Sequence, residues 1–267
     1  MTLDRGLARW VGSSPSGLAV PGLSGPKTAV RLAEAAWRLQ LALRQIEYGP
    51  PAAWVYAPWE YAWPLYASYL ERYARGRRPV LWLGMNPGPW GMLQTGIPFG
   101  EVAAVRDWMG LSGLVTSPEC YQPLRPVHGL ECRRSEVSGR RLWGLFASRF
   151  ETADSFFQRQ LVLNYCPLGF LAEGGRNVTP DKLSSQVRIE LQRVCDQHLL
   201  EVLEILQPEV LIGIGGFAAN CWRRVVTDGG NGSRRVVQIL HPSPASPAAN
   251  RDWAGQVTEV LEREGVW

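Results

Sequence analysis

Amines and imidazoles are scarce in this 267-residue chain. Of its 28 basic residues only Lys27 and Lys182 are lysine, and the histidines are His128, His198 and His241. Chemistry that needs an amine nucleophile or a titrating imidazole therefore has few candidates. The five cysteines (Cys120, Cys132, Cys166, Cys195, Cys221) include no CxxC pair, a poor framework for disulfides or zinc. They read as reduced structural thiols in a cytoplasmic protein. No apolar run approaches about 18 residues, and the N-terminus has no basic stretch followed by a hydrophobic segment, so neither a membrane span nor a secretion signal is expected.

What is present is the composition of a soluble globular protein, 46% hydrophobic and 19% charged, with enough chain to bury a large core. A net charge of +4 and a pI near 8.9 permit an anionic partner without demanding one. Residues 1–27 read as a flexible leader, because 11–27 carry four glycines and three prolines with little periodicity. A single domain is expected over 28–267. Apolar spacing predicts a helix from Val30 to Leu43 and another from Trp59 to about Arg75.

Four short apolar segments, Val80–Met85, Leu161–Tyr165, Val210–Ile214 and Val236–Leu240, read as strands covered on both faces, as in a parallel sheet. Thr179-Pro180 and Ser246-Pro247 both look like helix starts, an N-cap with proline at the first helical position. The expected fold is α/β, a three-layer α/β/α sandwich around a four-stranded parallel sheet.

Ligands of such sheets bind beyond the carboxyl ends of the strands. The first exit, Gly84-Met85-Asn86-Pro87-Gly88-Pro89-Trp90-Gly91, is stiff and bare, either a tight connection or a loop whose backbone approaches a ligand closely. It has neither the lysine of a phosphate-binding P-loop nor a GxGxxG fingerprint. Asn164 interrupts an apolar strand, where it either satisfies backbone groups or reads a donor–acceptor edge such as that of a pyrimidine. His241 follows the fourth strand directly, beside a stiff Pro-Ser-Pro turn. No exit carries the carboxylate pair that hydrolysis of a sugar–sugar bond would use. Glu101 is explained as a helix-dipole partner near a helix start. Serine, zinc and cysteine hydrolase motifs are missing from the comparable positions.

GMNPGPWGMLQTGIPFGEVAAVRDWMG at 84–110, SGRRLWG at 138–144, LNYCPL at 163–168 and HPSPASPAAN at 241–250 together resemble the single-strand-selective monofunctional uracil-DNA glycosylases, bacterial members included. The likeness runs from about Trp54 to the last helix. It implies the uracil-glycosylase fold and a hydrolase that removes uracil, and oxidised uracils such as 5-hydroxymethyluracil, from single- and double-stranded DNA, leaving an uncut abasic site. It also implies that Asn86 positions the attacking water, Phe99 stacks on the flipped base, Asn164 reads the uracil edge and His241 stabilises the departing base. Met85, Gly88 and Met92 match pocket positions, and Pro242, Ser243, Pro244, Ala245, Ser246, Pro247 and Asn250 match the segment that wedges into the duplex. Vertebrate members read HPSPRNP there, so Ala245 and Ser246 stand in place of an Arg–Asn pair, which weakens the expected filling of the gap.

Uracil departs as a delocalised anion, so a preorganised donor such as His241, worth about 3–4 kcal/mol, replaces a strong acid. With Asn rather than Asp at 86 the water is oriented more than deprotonated. Arg133, Arg134, Arg140, Arg141 and Arg251 become candidate phosphate contacts, and neither lysine is placed for Schiff-base chemistry. A cytoplasmic monomer with no cofactor, no metal and no membrane partner is expected. Two rivals stay open, a hydrolase of free nucleosides and a non-catalytic binder of DNA lesions or abasic sites.

Overall fold

A computed structural model describes residues 6–12, 25–228 and 234–267. The elements in chain order are β1 (Arg9–Val11), α1 (Lys27–Arg44), β2 (Trp54–Tyr56), α2 (Pro58–Tyr61), α3 (Trp63–Tyr73), β3 (Val80–Gly84), α4 (Met92–Thr95), α5 (Val137–Phe150), α6 (Ala153–Phe157), β4 (Gln160–Asn164), β5 (Gly169–Leu171), β6 (Asn177–Val178), α7 (Ser185–Leu206), β7 (Val210–Ile214), α8 (Gly216–Asp228), β8 (Arg235–Ile239) and α9 (Pro247–Arg263).

The main sheet has the order β4-β3-β7-β8 and every pairing in it is parallel. The strands are those expected from the apolar runs, to within a residue at each end. β3 and β4 are buried at every position, which is why they read as continuous apolar runs instead of alternating ones. On the helical layers α1 packs against α3 and α7, while α5 packs against α6 and α9. Aromatic rings fill much of the space between sheet and helices. Tyr73 stacks on Phe157 and Phe146 on Phe156, and the one polar handle on Trp82 is satisfied by Gln160 Oε1 at 2.7 Å.

A second, smaller sheet, β1-β2-β5-β6, was not expected. Its strands are two or three residues long, too short for a periodicity signal. β1 lies inside the segment read as a leader, and it is held because Trp10 Nε1 donates to the buried Glu60 carboxylate at 2.9 Å. Residues 1–5 and 13–24 of that segment lie outside the described residues. Glu60 also accepts from Gln40 Nε2 at 3.0 Å and pairs with Arg44 at 2.7 Å, joining β1, α1 and α2 at one buried point.

Two helix boundaries differ from expectation. The helix read from Trp59 onward breaks at Ala62, because Pro64 has no N–H to carry the ladder across. Thr179-Pro180 opens only a short 3-10 turn, Pro180–Lys182. The long helix α7 starts later, capped by Ser184, whose Oγ accepts from Val187 N at 3.4 Å. Ser246 does cap α9, accepting from Ala249 N. All five cysteines are free thiols, four of them buried. Among the described residues no helix is long and apolar enough to cross a membrane.

Replacing Glu60 with leucine would leave Trp10 and the fully buried Gln40 without their acceptor. The expected cost is about 3 kcal/mol, within the range for breaking a buried ionic contact. Urea denaturation of Glu60→Leu checks this, and a change under about 1 kcal/mol would mean that the cluster contributes little.

Candidate active site

The parallel register brings the strand exits together. Gly84 is the partner of Asn164, and past the strands Tyr165 N donates to Gly84 O and Cys166 N to Met85 O, so the first loop and Asn164 are fastened side by side. A Cβ on Gly84 would collide with both Asn164 Oδ1 and the Phe99 ring, so only glycine allows the amide and the ring to share this floor. Phe99 itself has φ +52°, a left-handed conformation that a bulky residue adopts only under constraint. Its carbonyl is held by Trp143 Nε1 at 2.9 Å and by Glu101 N at 2.7 Å.

Above this floor opens a cavity of about 480 Å³, lined among others by Met85, Asn86, Gly88, Phe99, Asn164 and His241. Six of the seven pocket and catalytic residues expected from sequence therefore converge. Met92 lies beneath the floor and is fully buried, its Sδ facing Asn164 Nδ2 at 3.2 Å. It supports Asn164 and does not line the cavity.

The polar groups of the cavity are poorly satisfied by the protein. Asn164 is 6% exposed, yet its Oδ1 is buried with no partner, a state that costs about 1–3 kcal/mol unless something else donates to it. Asn86 makes one long contact, Nδ2 to Leu168 O at 3.4 Å, and its Oδ1 has no hydrogen-bond partner among the described residues. His241 sits 6.1 Å from Phe99, ring centre to ring centre, and burial pushes its pKa down to about 4. The imidazole is therefore neutral at neutral pH, with one nitrogen carrying a proton and the other bare.

Of the expected wedge, Ser243, Ala245 and Ser246 line the cavity mouth, while Pro244, Ala245 and Pro247 form an exposed tip. Asn250 does not project from it. Its Nδ2 donates to Pro244 O at 2.8 Å and its Oδ1 accepts from Arg141 at 2.9 Å. Arg141 also donates to Pro242 O at 3.2 Å, so this arginine, expected at a phosphate, is spent on holding the loop. Arg133, Arg134, Arg140 and Arg251 are exposed. Lys27 belongs to the first turn of α1, and Lys182 is paired with Asp181 at 3.3 Å on the surface.

Glu136, Ser138, Asn177 and Thr179 also line the cavity and were missed. Glu136 matters most. Its carboxylate occupies the space where Cβ atoms on Gly88 and Gly91 would lie, which makes it the side wall of the bare loop. Burial pushes its pKa up to about 7; the Gly139 backbone N–H opposes the shift and neighbouring Glu101 adds to it. The only trace in the sequence was the SGRRLWG block, which begins two residues later. Glu101 is used locally, its Oε2 accepting from Ala104 N at 3.0 Å at the start of the turn that follows. No group of three or more His, Cys, Asp or Glu side chains gathers around a possible metal position among the described residues.

Residues 71–262 match the family model of the uracil DNA glycosylase superfamily. The chain is 44% identical over 229 residues to the single-strand selective monofunctional uracil-DNA glycosylase of Rattus norvegicus, covering 86% of this chain and 82% of the rat protein. It is 45% identical to the Bos taurus counterpart, covering 86% and 84%. Among solved structures, the crystal structure of wild-type Pedobacter heparinus SMUG2 superposes with a TM-score of 0.61 over 90% of this chain and 97% of that one; at 16% identity the likeness is one of fold.

Glu136 gives a stability signature with a definite sign. Its folded pKa is above the ordinary carboxylate value of 4.5, so the folded chain holds this proton more tightly than the unfolded chain does. The contribution is complete below about pH 4.5 and is lost as pH rises to and through about 7. His241 runs oppositely, its contribution being lost as pH falls from 6.5 toward 4. The stability of Glu136→Gln relative to the parent should therefore rise by about 3 kcal/mol between pH 4.5 and 7.5. Denaturation of both proteins across this range checks it, and a pH-independent difference would show that the carboxyl is not perturbed.

Proposed function

The chain belongs to the uracil-DNA glycosylase superfamily, and we propose that it excises uracil from DNA as a monofunctional glycosylase of base-excision repair, leaving the strand uncut. The observation that carries this at the level of residues is the buried, unpartnered Oδ1 of Asn164 on the cavity floor beside Phe99. It is an acceptor held ready for a donor that the protein does not supply. Uracil offers one in N3–H, flanked by carbonyl oxygens that can accept from Nδ2. Cytosine has a bare ring nitrogen and an amino group on that edge, so its N3 would meet Oδ1 with no proton to give while its amino group would face Nδ2, donor against donor, and sites of this type discriminate strongly.

A base within a duplex cannot reach such a cavity, so the nucleotide is extruded, at a cost of a few kcal/mol that is least where the base is unpaired. Phe99 supplies the stacking face that replaces the lost neighbours. As the bond between C1′ and N1 lengthens, the electron pair stays with the base and charge collects on its oxygens. The neutral His241 donates its N–H to that developing charge without having to give the proton away, which suits a leaving group that is already a stable anion. Asn86 Oδ1 orients a water toward C1′. The water oxygen forms the new bond, its proton passes to solvent or the base, and the products are free uracil and an abasic site. No step uses an amine, consistent with the surface position of Lys182 and with Lys27 in the first turn of α1.

Activity on oxidised uracils such as 5-hydroxymethyluracil is part of the same proposal. It is supported by the absence of a side chain at Gly88, where the wall is formed by a polar carboxyl that can hydrogen-bond a hydroxymethyl group. The reading extends to a monomeric enzyme that works in the cytoplasm on the nucleoid and takes single- and double-stranded DNA.

Asn86→Ala and His241→Leu should each lower the single-turnover rate of uracil release by about 10²–10³-fold, the usual effect of removing one preorganised group. Thermal melting should stay close to that of the parent. The assay follows free uracil and alkali-sensitive sites in a uracil-containing oligonucleotide. Full activity in either variant removes that residue from the mechanism. Uracil release from free deoxyuridine but not from the oligonucleotide would favour the nucleoside hydrolase, and binding without release would favour the lesion binder.

A further inference from the structure

A second groove, of about 550 Å³, opens beside the active-site loop and is used by none of the chemistry above. Its wall includes Trp90, Leu124, His128, Arg133 and Arg134. It abuts the catalytic cavity along the chain from both sides, since Trp90 follows cavity-lining Gly88 by two residues and Arg134 precedes cavity-lining Glu136 by two. The half-buried Trp90 indole is flanked by two guanidinium groups, Arg134 at 4.6 Å and Arg125 at 5.3 Å from its ring centre. Leu124 is 61% exposed on the same wall.

The charge here is not neutralised by the protein. Eight arginines elsewhere pair with carboxylates, but Arg125, Arg133 and Arg134 form no ion pair among the described residues, and Arg125 Nε is buried with no hydrogen-bond partner. Glu131 is the single carboxylate on the wall. The groove is also built rigidly onto the catalytic loop. Gln94, 1% exposed, donates to Pro89 O at 2.9 Å and Pro126 O at 3.0 Å and accepts from His128 N at 2.8 Å, so one buried amide ties the loop to the far wall.

Flat cationic and aromatic surfaces with exposed arginines recur where unpaired nucleotides are bound, the rings and guanidinium planes stacking on bases and the charges meeting phosphates. We propose that this groove holds the unpaired nucleotides on one side of the extruded uracil, with Trp90 and Arg134 against a base and Arg133 and Arg125 on the phosphates. The inference rests on the glycosylase reading. It also assigns a local cause to a preference for single strands, because bases flanking the target in a duplex are already paired and stacked and cannot turn onto Trp90.

The test measures KM and kcat for uracil release from single-stranded 15-mers carrying uracil at the centre, second from the 5′ end or second from the 3′ end. The proteins are the parent, Arg133→Ala/Arg134→Ala, Trp90→Ala and Trp90→Phe. On the central substrate the double variant should raise KM about tenfold with kcat within twofold. Its salt dependence of binding should flatten by about 0.7 in log–log slope, the share of the one phosphate contact, that of Arg133, on a single strand. The gap should close on the one end-placed substrate that lacks the relevant flank. Trp90→Ala should lose affinity on single strands, Trp90→Phe should restore it, and the Trp90→Ala loss should fall below twofold on duplex. Unchanged KM in the double variant overturns the proposal, and so does an equal gap on all three single strands, which would reflect general attraction. A kcat loss with KM unaltered also overturns it. If the parent releases no uracil at all, the glycosylase reading fails by itself. The groove is then judged alone by fluorescence anisotropy of a labelled thymine-only 15-mer with the same variants, where equal affinities would overturn it.

Discussion

The site depends on the register between β3 and β4. Because Gly84 lies opposite Asn164, the loop after β3 and the amide at the end of β4 leave the sheet at the same point, and two backbone hydrogen bonds continue the pairing beyond the strands. A one-residue slip would turn Asn164 to the other face of the sheet and separate it from Phe99. Everything that fixes this register also fixes the site, including the fully buried apolar faces of both strands and the Trp82–Gln160 hydrogen bond across them. The strained backbone at Phe99 is tolerable only on such a base, with Trp143 holding its carbonyl from the neighbouring helix.

Within that frame the protein leaves selected polar atoms unsatisfied. The bare Oδ1 of Asn164 lowers folding stability relative to a fully paired arrangement, and the amide of Asn86 is only half used; in the proposed function the first matches N3–H of uracil, the second a water, and the uncharged ring of His241 the charge that develops on the departing base. Burial accounts for both the cost and the use. It keeps His241 neutral, and it makes a hydrogen bond to a departing anion stronger than the same bond in water. The carboxyl of Glu136 belongs to the same pattern with opposite sign, since burial beside the same cavity disfavours its negative charge.

The apolar runs made the main sheet legible, with β3 and β4 buried at every position and β7 at all but its first, whereas β8, expected to be covered on both faces, lies at the sheet's edge and leaves Arg235 and Gln238 exposed. Asn164 and His241 were visible for the same reason, as polar interruptions at the ends of such runs. The small sheet was hidden because its strands hold only two or three residues and its stability comes from Glu60, which no local pattern links to Trp10, 50 residues away. Glu136 was hidden by a similar long-range relation. The bare loop at 84–91 reads as a tight connection or as a close approach to a ligand, whereas part of its emptiness is filled by a carboxylate at the start of α5. Glycine spacing reports that something comes close and is silent on what it is.

The loop after His241 shows how a change in one residue's role is absorbed elsewhere. The tip reads Pro244-Ala245-Ser246, and Ser246 is committed to capping α9. Neither Ala245 nor Ser246 has the reach of an arginine to fill the space left by an extruded base. Stiffness comes instead from beneath, where Arg141 grips Pro242 O and Asn250, Asn250 grips Pro244 O, and Trp253 fastens α9 to Leu240 O at 2.7 Å. Under the proposed function, a rigid, short tip would hold His241 in place but compensate little of the unstacking energy in a duplex. The part of the binding energy that a longer wedge would supply has to come from contacts outside the gap, and these are most available when the neighbouring bases are free to move.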